Sequence, residues 1–179
     1  MLNKENTGLI VVDIQGKLAR LVSNSNELVS NCTKLVKGAQ FLGLPIVWLE
    51  QNPDKLGKTI EEINELLSNQ KPIGKFSFDA CSEPRFIEVI QKSDKASWLI
   101  CGIEAHICVY QTALHLKNLG YDIHLVSDCV ASRDELNKEL AIRKLAGSGV
   151  DITGLEMSLY ELVKDCREPE FKEILNLIK

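Results

Sequence analysis

Three residues far apart in the chain carry side chains that together could run acyl-transfer chemistry. Asp13, Lys75 and Cys108 offer a carboxylate, an ammonium and a thiol. A thiolate attacks a carbonyl carbon, and a nearby carboxylate can take the thiol proton. An ammonium between them offsets the carboxylate charge and fixes its geometry. Each residue also has a plainer reading. An Asp closing an apolar run is often a turn former or helix cap, a Lys in a polar loop is solvated, and a Cys opening a helix packs as a small hydrophobe. Whether the fold gathers the three decides between these readings.

The elements that must position them follow from the apolar pattern. Residues 8–12 form a continuous apolar run, β-branched from Ile10 to Val12, that ends at Asp13. Such runs are strands buried on both faces, as in a parallel sheet. Between 27 and 42, Leu28, Cys32, Leu35, Val36, Ala39 and Leu42 recur at helical spacing, and Gly43 supplies the stop. Residues 45–49 read as a second strand, 51–58 as a loop marked by Pro53 and Gly57, and 59–67 as a short helix. Pro72 and Gly74 interrupt 71–76, which reads as a short strand or an extended loop.

Ser82 then reads as the cap of a helix carrying Phe86, Ile87, Val89 and Ile90, with Pro84 in its first turn. A buried strand at 97–102 leads into a helix from about 108 to 119, which Gly120 ends. Residues 121–127 make the next strand, and Ser132-x-x-Glu135 has the form of a capping box for a helix to about 147. A last strand at 150–152 precedes helices near 155–164 and 168–178. This alternation predicts one α/β domain over 1–179, a three-layer α/β/α fold with a mostly parallel six-stranded sheet of Rossmann-like form.

In open α/β sheets, ligands bind beyond the carboxyl ends of the strands. Asp13 ends the first strand, Lys75 lies near the end of the third, and Cys108 opens the helix after the 97–102 strand. All three are therefore expected on one rim. A helix N-terminus and a lysine favour thiolate there, while the carboxylate opposes it.

Bulk properties exclude several classes. A chain of 179 residues with 45% hydrophobic and 26% charged residues is ordinary for a globular domain. A net charge of -4 gives no reason to expect nucleic acid or a polybasic membrane contact. No apolar run approaches the ~18 residues of a membrane span. Residues 1–6 mix charges and lead directly into a strand, so they do not read as a signal peptide and a cytoplasmic location is expected. Six cysteines occur without a Cys-x-x-Cys pair. Cys32, Cys101 and Cys129 lie in apolar segments and read as buried thiols, not disulfides. His106, His115 and His124 fit no recurring metal-ligand spacing, so neither metal nor cofactor is expected. No Gly-x-Gly-x-x-Gly motif or P-loop supports nucleotide binding.

Taken together, Val-Val-Asp-Ile-Gln (11–15), Gly-Lys-Phe-Ser-Phe (74–78), Gly-Ile-Glu-Ala-His-Ile-Cys-Val-Tyr-Gln-Thr-Ala (102–113) and Asp-Cys-Val-Ala-Ser-Arg (128–133) resemble the isochorismatase-like hydrolase superfamily. The loop from Glu50 through Pro53 and Gly57 to Thr59 is similar to that of its small isochorismatase domain-containing members. The resemblance implies that Asp13 takes the thiol proton, Cys108 attacks a carbonyl carbon of a small amide-type substrate, and Lys75 holds Asp13. Backbone N–H groups of Glu104 and Cys108 would form an oxyanion hole, an amine would leave, and water would hydrolyse the thioester. A cis peptide between Ile103 and Glu104 and a homo-oligomer are implied as well.

Two branches of that superfamily fit less well. Cys108 argues against members that cleave an enol ether without a cysteine. Nicotinamidase members carry an Asp/His metal site beside the second strand, and residues 48–52 here contain no histidine. Gln15, Gln51, Phe76, Phe78 and Tyr110 are candidates for the substrate pocket, with packing or loop polarity as the alternative for each. Two readings outside hydrolysis stay open: a non-catalytic interaction protein on the same scaffold, and a thiol redox protein using Cys108, for which no resolving Cys-x-x-Cys partner is visible.

Overall fold

The apolar run that ends at Asp13 is a fully buried strand, β1 (Thr7–Val12), in a computed structural model that describes residues 1–179. One-turn helix α1 (Leu18–Leu21) and the long helix α2 (Ser25–Phe41) follow, then β2 (Ile46–Gln51), which is also buried throughout. Two further one-turn helices, α3 (Pro53–Leu56) and α4 (Glu61–Asn64), lead to the three-residue strand β3 (Ile73–Lys75). The rest of the chain alternates as α5 (Pro84–Lys92), β4 (Ser97–Ile103), α6 (Tyr110–Asn118), β5 (Asp122–Ala131), α7 (Glu135–Gly147), β6 (Asp151–Thr153), α8 (Leu155–Val163) and α9 (Phe171–Ile178).

All six strands are parallel, in the order β3-β2-β1-β4-β5-β6. Alternate residues of β1 feed opposite faces. Leu9 and Val11 join a core with Leu35, Val36 and Leu159 from α2 and α8, whereas Ile10 and Val12 join one with Phe86, Ala113 and Leu145 from α5, α6 and α7. Covering both faces explains why β1 and β2 read as unbroken apolar runs. Cys32, Cys101 and Cys129 are buried in the first of these cores, and all six cysteines are free thiols.

Several local expectations are corrected. Ser82 caps no α-helix. It closes a 3-10 turn, Ala80–Ser82, whose cap is Asp79 accepting from the Cys81 N–H at 2.9 Å. Pro84 opens α5, where its missing N–H costs nothing. The capping box does not form either. Asp134 caps α7 by accepting from Leu136 N–H at 3.0 Å. β5 runs on to Ala131, past a bulge that sets Val126 to Cys129 opposite Cys101 alone, so Ser132 is buried beside the sheet. The loop expected at 51–58 contains α3, and α1 was not anticipated; one turn of helix leaves no periodic signal. The helix expected from about 108 starts earlier, with a π-helical turn over Ala105–Val109 that continues into α6. The Ile103–Glu104 peptide is cis.

Candidate active site

The strand order reverses between β1 and β4, and the crevice beyond such a reversal is where open α/β sheets bind ligands. β1 delivers Asp13 to that crevice. Its backbone is left-handed, at φ 50°, and its N–H extends the ladder by donating to Leu49 O at 3.2 Å. β4 delivers Gly102, Ile103 and Glu104, then the turn carrying Cys108. Gly102 has φ +115°, and a Cβ there would lie 2.0 Å from Val12 O, so only glycine lets the two strand ends approach this closely. β3 pairs with β2 so that Lys75 lies opposite Gln51.

Lys75 is 1% exposed despite its charge. Its Nζ donates to Asp13 Oδ2 and to Gln51 Oε1, both at 2.7 Å, and lies 3.3 Å from Ser77 O and 3.5 Å from Phe78 O. A buried ammonium persists only when its protons find partners and its charge a counterion, and both conditions are met here. Asp13 Oδ2 is thereby occupied. Asp13 Oδ1 is buried with no well-formed hydrogen bond.

Cys108 is 7% exposed and shares a cavity of about 100 Å³ with Asp13. Leu18, Leu56, Phe78, Ile103 and Ile107 supply its apolar wall. Burial, and after it the negative charge of Asp13, pushes the Cys108 thiol up to about 12, against the opposing pull of Lys75. Burial also raises Asp13 above the usual carboxylate range, while the charge and hydrogen bond of Lys75 and the hydrogen bond of Cys108 work the other way. The helix-terminus and lysine effects expected to favour thiolate are thus outweighed. The thiol is thereby held protonated at neutral pH, beside a carboxyl group paired with Lys75. An arrangement of this kind can pass the proton from sulfur to carboxylate as the sulfur bonds to carbon.

The proposed substrate contacts divide. Gln51 and Phe78 line the cavity, but the Gln51 side chain is committed to Lys75 and to Phe76 O at 2.6 Å. Gln15 is fully buried away from it, bonded to Gln51 N–H, Gln51 O and Gly57 O, and it ties the segments after β1 and β2 together. Phe76 is 76% exposed and Tyr110 faces a separate surface cleft, so neither lines this cavity. Leu18 and Leu56 were missed because each sits on a one-turn helix. Glu104 also lines the cavity, and its carboxylate is bound to Arg133, accepting from its backbone N–H at 2.9 Å and its Nε at 3.1 Å. The Glu104 backbone N–H has no acceptor within the protein. His106 bonds to Ser132 Oγ at 2.9 Å and is not among the cavity residues.

Comparison with known proteins agrees with this fold. The isochorismatase domain family model matches residues 7–157. A secreted isochorismatase effector, Isc1, of Phytophthora sojae is 35% identical over 96% of this chain and 83% of its own length. Isochorismatase domain-containing protein 2 of Danio rerio is 32% identical over 99% and 89%. Among solved structures, the MAR1 ribonuclease of Caenorhabditis elegans superposes with a TM-score of 0.93 at 31% identity, covering 99% of this chain and 91% of that one.

Proposed function

This chain belongs to the isochorismatase family, whose members are usually hydrolases, and from that premise we propose that it is a cysteine hydrolase cleaving the C–N bond of a small amide-type substrate. One observation carries the reading: Asp13 holds one oxygen on Lys75, its other oxygen is without a well-formed hydrogen bond, and it lines the same cavity as Cys108.

In this reading Asp13 Oδ1 accepts the thiol proton as Cys108 Sγ bonds to the carbonyl carbon. The carbonyl oxygen takes up the negative charge. Backbone N–H groups of Glu104 and Cys108 hold that oxyanion, a contribution typically worth ~3 kcal/mol per donor. When the C–N bond breaks, protonated Asp13 returns the proton to the departing nitrogen, leaving a thioester on Cys108. Asp13 then takes a proton from water, the water oxygen bonds to the acyl carbon, and the released thiolate recovers the proton. Lys75 keeps Asp13 oriented and balances its charge throughout. No metal or cofactor enters these steps.

The small, largely apolar cavity of about 100 Å³ suits a small-molecule acyl group. The C. elegans protein is named as a ribonuclease, but an apolar cavity and a net charge of -4 give no support to RNA as the substrate here. The reading also places one domain over residues 1–179, as a homo-oligomer in a reducing, cytoplasmic setting. Free thiols at all six cysteines support that setting, and Phe76 and Phe78, 76% and 54% exposed, support an intersubunit contact. No helix is long and apolar enough to cross a membrane.

The test is a panel of small amides, ureas and carbamates, assayed for released ammonia or amine. The wild-type chain should turn over at least one of them, with Cys108→Ala reduced to background. No turnover across the panel, or equal rates in the variant, would reject the reading.

A further inference from the structure

Outside the Asp13–Cys108 cavity, the 3-10 turn after β3 packs against α6 and brings three ligand-bearing side chains together. Asp79, Cys81 and His115 each place one donor atom so that all three lie within 4.8 Å of one another. Asp79 Oδ2 is 2.7 Å from His115 Nδ1, while its Oδ1 accepts the Cys81 N–H at 2.9 Å. Cys81 is half-buried, with Sγ 4.0 Å from Thr112 O, one turn before His115 on the same helix. A surface cleft of about 450 Å³ opens beside Asp79 and His115, which leaves one side of the cluster free for a fourth ligand. None of the three residues takes part in the chemistry proposed at Cys108.

The donor set selects the ion. Thiolate, imidazole and one carboxylate suit zinc and its tetrahedral first-row neighbours, whereas calcium and magnesium prefer oxygen alone. Three protein ligands with water in the fourth position is a coordination that zinc adopts in open sites. Sequence spacing gave no sign of it, because Cys81 and His115 are separated by a helix, a strand and a π-helical turn. We propose that Asp79, Cys81 and His115 form a binding site for a divalent transition-metal ion, zinc foremost, with water from the surface cleft as the fourth ligand.

The three donors must settle to tetrahedral spacing to admit the ion, the Cys81 sulfur about 3.5 Å from each of the other two. Asp79 Oδ2 and His115 Nδ1 have to part from hydrogen-bond distance to about 3.3 Å, as two ligands of one tetrahedral ion. The His115 side chain, 44% exposed, has room to do this. Cys81 must lose its proton. Burial and the Asp79 charge raise its thiol well above the usual range, so binding should release a proton and tighten with pH. The ion would join the 3-10 turn to α6, two segments already linked by Ala80 N–H donating to Thr112 Oγ1 at 3.0 Å. A metal-free alternative exists in which Asp79 is only a cap and a hydrogen-bond partner of His115. It requires no ion to bind.

Titration of the full chain with Co²⁺, followed by competition with Zn²⁺, separates the two. The site predicts one Co²⁺ per chain with a thiolate-to-cobalt charge-transfer band. That band should be abolished in Cys81→Ser, the affinity should fall at least tenfold in His115→Ala, and Zn²⁺ should displace the cobalt. Both variants should keep the wild-type circular dichroism; if Cys81→Ser does not fold, His115→Ala decides by the same criterion. Absence of a charge-transfer band overturns the proposal. So does a band of full strength in Cys81→Ser, which would put the ion on another thiol such as Cys108 or Cys166, or an unchanged cobalt affinity in His115→Ala.

Discussion

Lys75 Nζ lies 2.7 Å from Asp13 Oδ2 with both side chains sealed from solvent, and the other oxygen, Oδ1, has no well-formed hydrogen bond. The pair therefore has two consequences. It commits one carboxylate oxygen to holding the group in place, and it keeps the other available to the thiol. In the proposed mechanism, stability and catalysis depend on the same contact, and each can be measured separately.

Removing the ammonium should expose the stability term. Lys75→Met leaves a buried carboxylate without a counterion, a change that typically costs about 3–5 kcal/mol. Asp13 already sits above its unfolded value, and without Lys75 it should rise further. A raised carboxylate destabilises the fold only where it is ionised, so the penalty should be full at pH 8 and shrink as pH falls through the raised value. Urea midpoints of wild type and variant at pH 5 and pH 8 measure this. The double variant Lys75→Met, Asp13→Asn should recover a large part of the loss.

The same shift sets the pH dependence of turnover. Asp13 must be ionised to accept the proton, so kcat/KM should fall as pH drops through the Asp13 value. Burial places that limb above the ordinary carboxylate range of about 4. Asp13→Asn should lose roughly 10³-fold or more in kcat, because groups that act as a unit fail together. A profile flat down to pH 4 would mean that some other group takes the proton.

Alkylation separates thiol acidity from catalysis. Because the Cys108 thiol is pushed up to about 12, its reaction with iodoacetamide should climb about tenfold per pH unit between pH 7 and pH 10, with no plateau. Cys166 is exposed and should label first, so the measurement belongs in a Cys166→Ser background. Buried Cys32, Cys101 and Cys129 should stay unlabelled until unfolding. Asp13 raises the Cys108 thiol and Lys75 lowers it, so Asp13→Asn should alkylate Cys108 faster while losing turnover. Peptide mass spectrometry reads both rates.

The sequence shows those opposed charges but not the burial that outweighs them. The apolar runs at 8–12 and 97–102, buried on both faces, made the parallel sheet and its carboxyl rim legible, and that rim led to Asp13, Lys75 and Cys108. Chain ends and burial were harder. Lys75 reads as a solvated loop residue until β3 is known to pair in register with Gln51 at the foot of the cavity. Gln15 and Gln51 carry the polarity expected of substrate contacts, yet their amides are spent on backbone groups and on Lys75. Leu18 and Leu56, which do line the cavity, sit on single helical turns too short to produce a period. The state of the Cys108 thiol depends on burial, which no spacing encodes.

Association is tested by mass. Phe76 and Phe78 stand exposed at the loop after Lys75, and Phe78 also lines the cavity, so a second copy packed on them would lie beside the cavity. Sedimentation at micromolar concentration should give a species at least twice the 20.0 kDa chain mass. A single 20 kDa species would remove the intersubunit contact from the account.

The covalent intermediate tests the central claim most directly. The chain is mixed with an amide it turns over, quenched in acid during the first turnovers, and analysed by intact and peptide mass. The expected result is a transient gain of the acyl mass, located on Cys108, which decays as free acid forms and is absent from Cys108→Ala. Turnover without any adduct on Cys108, or an undiminished rate in Cys108→Ala, would contradict a cysteine nucleophile.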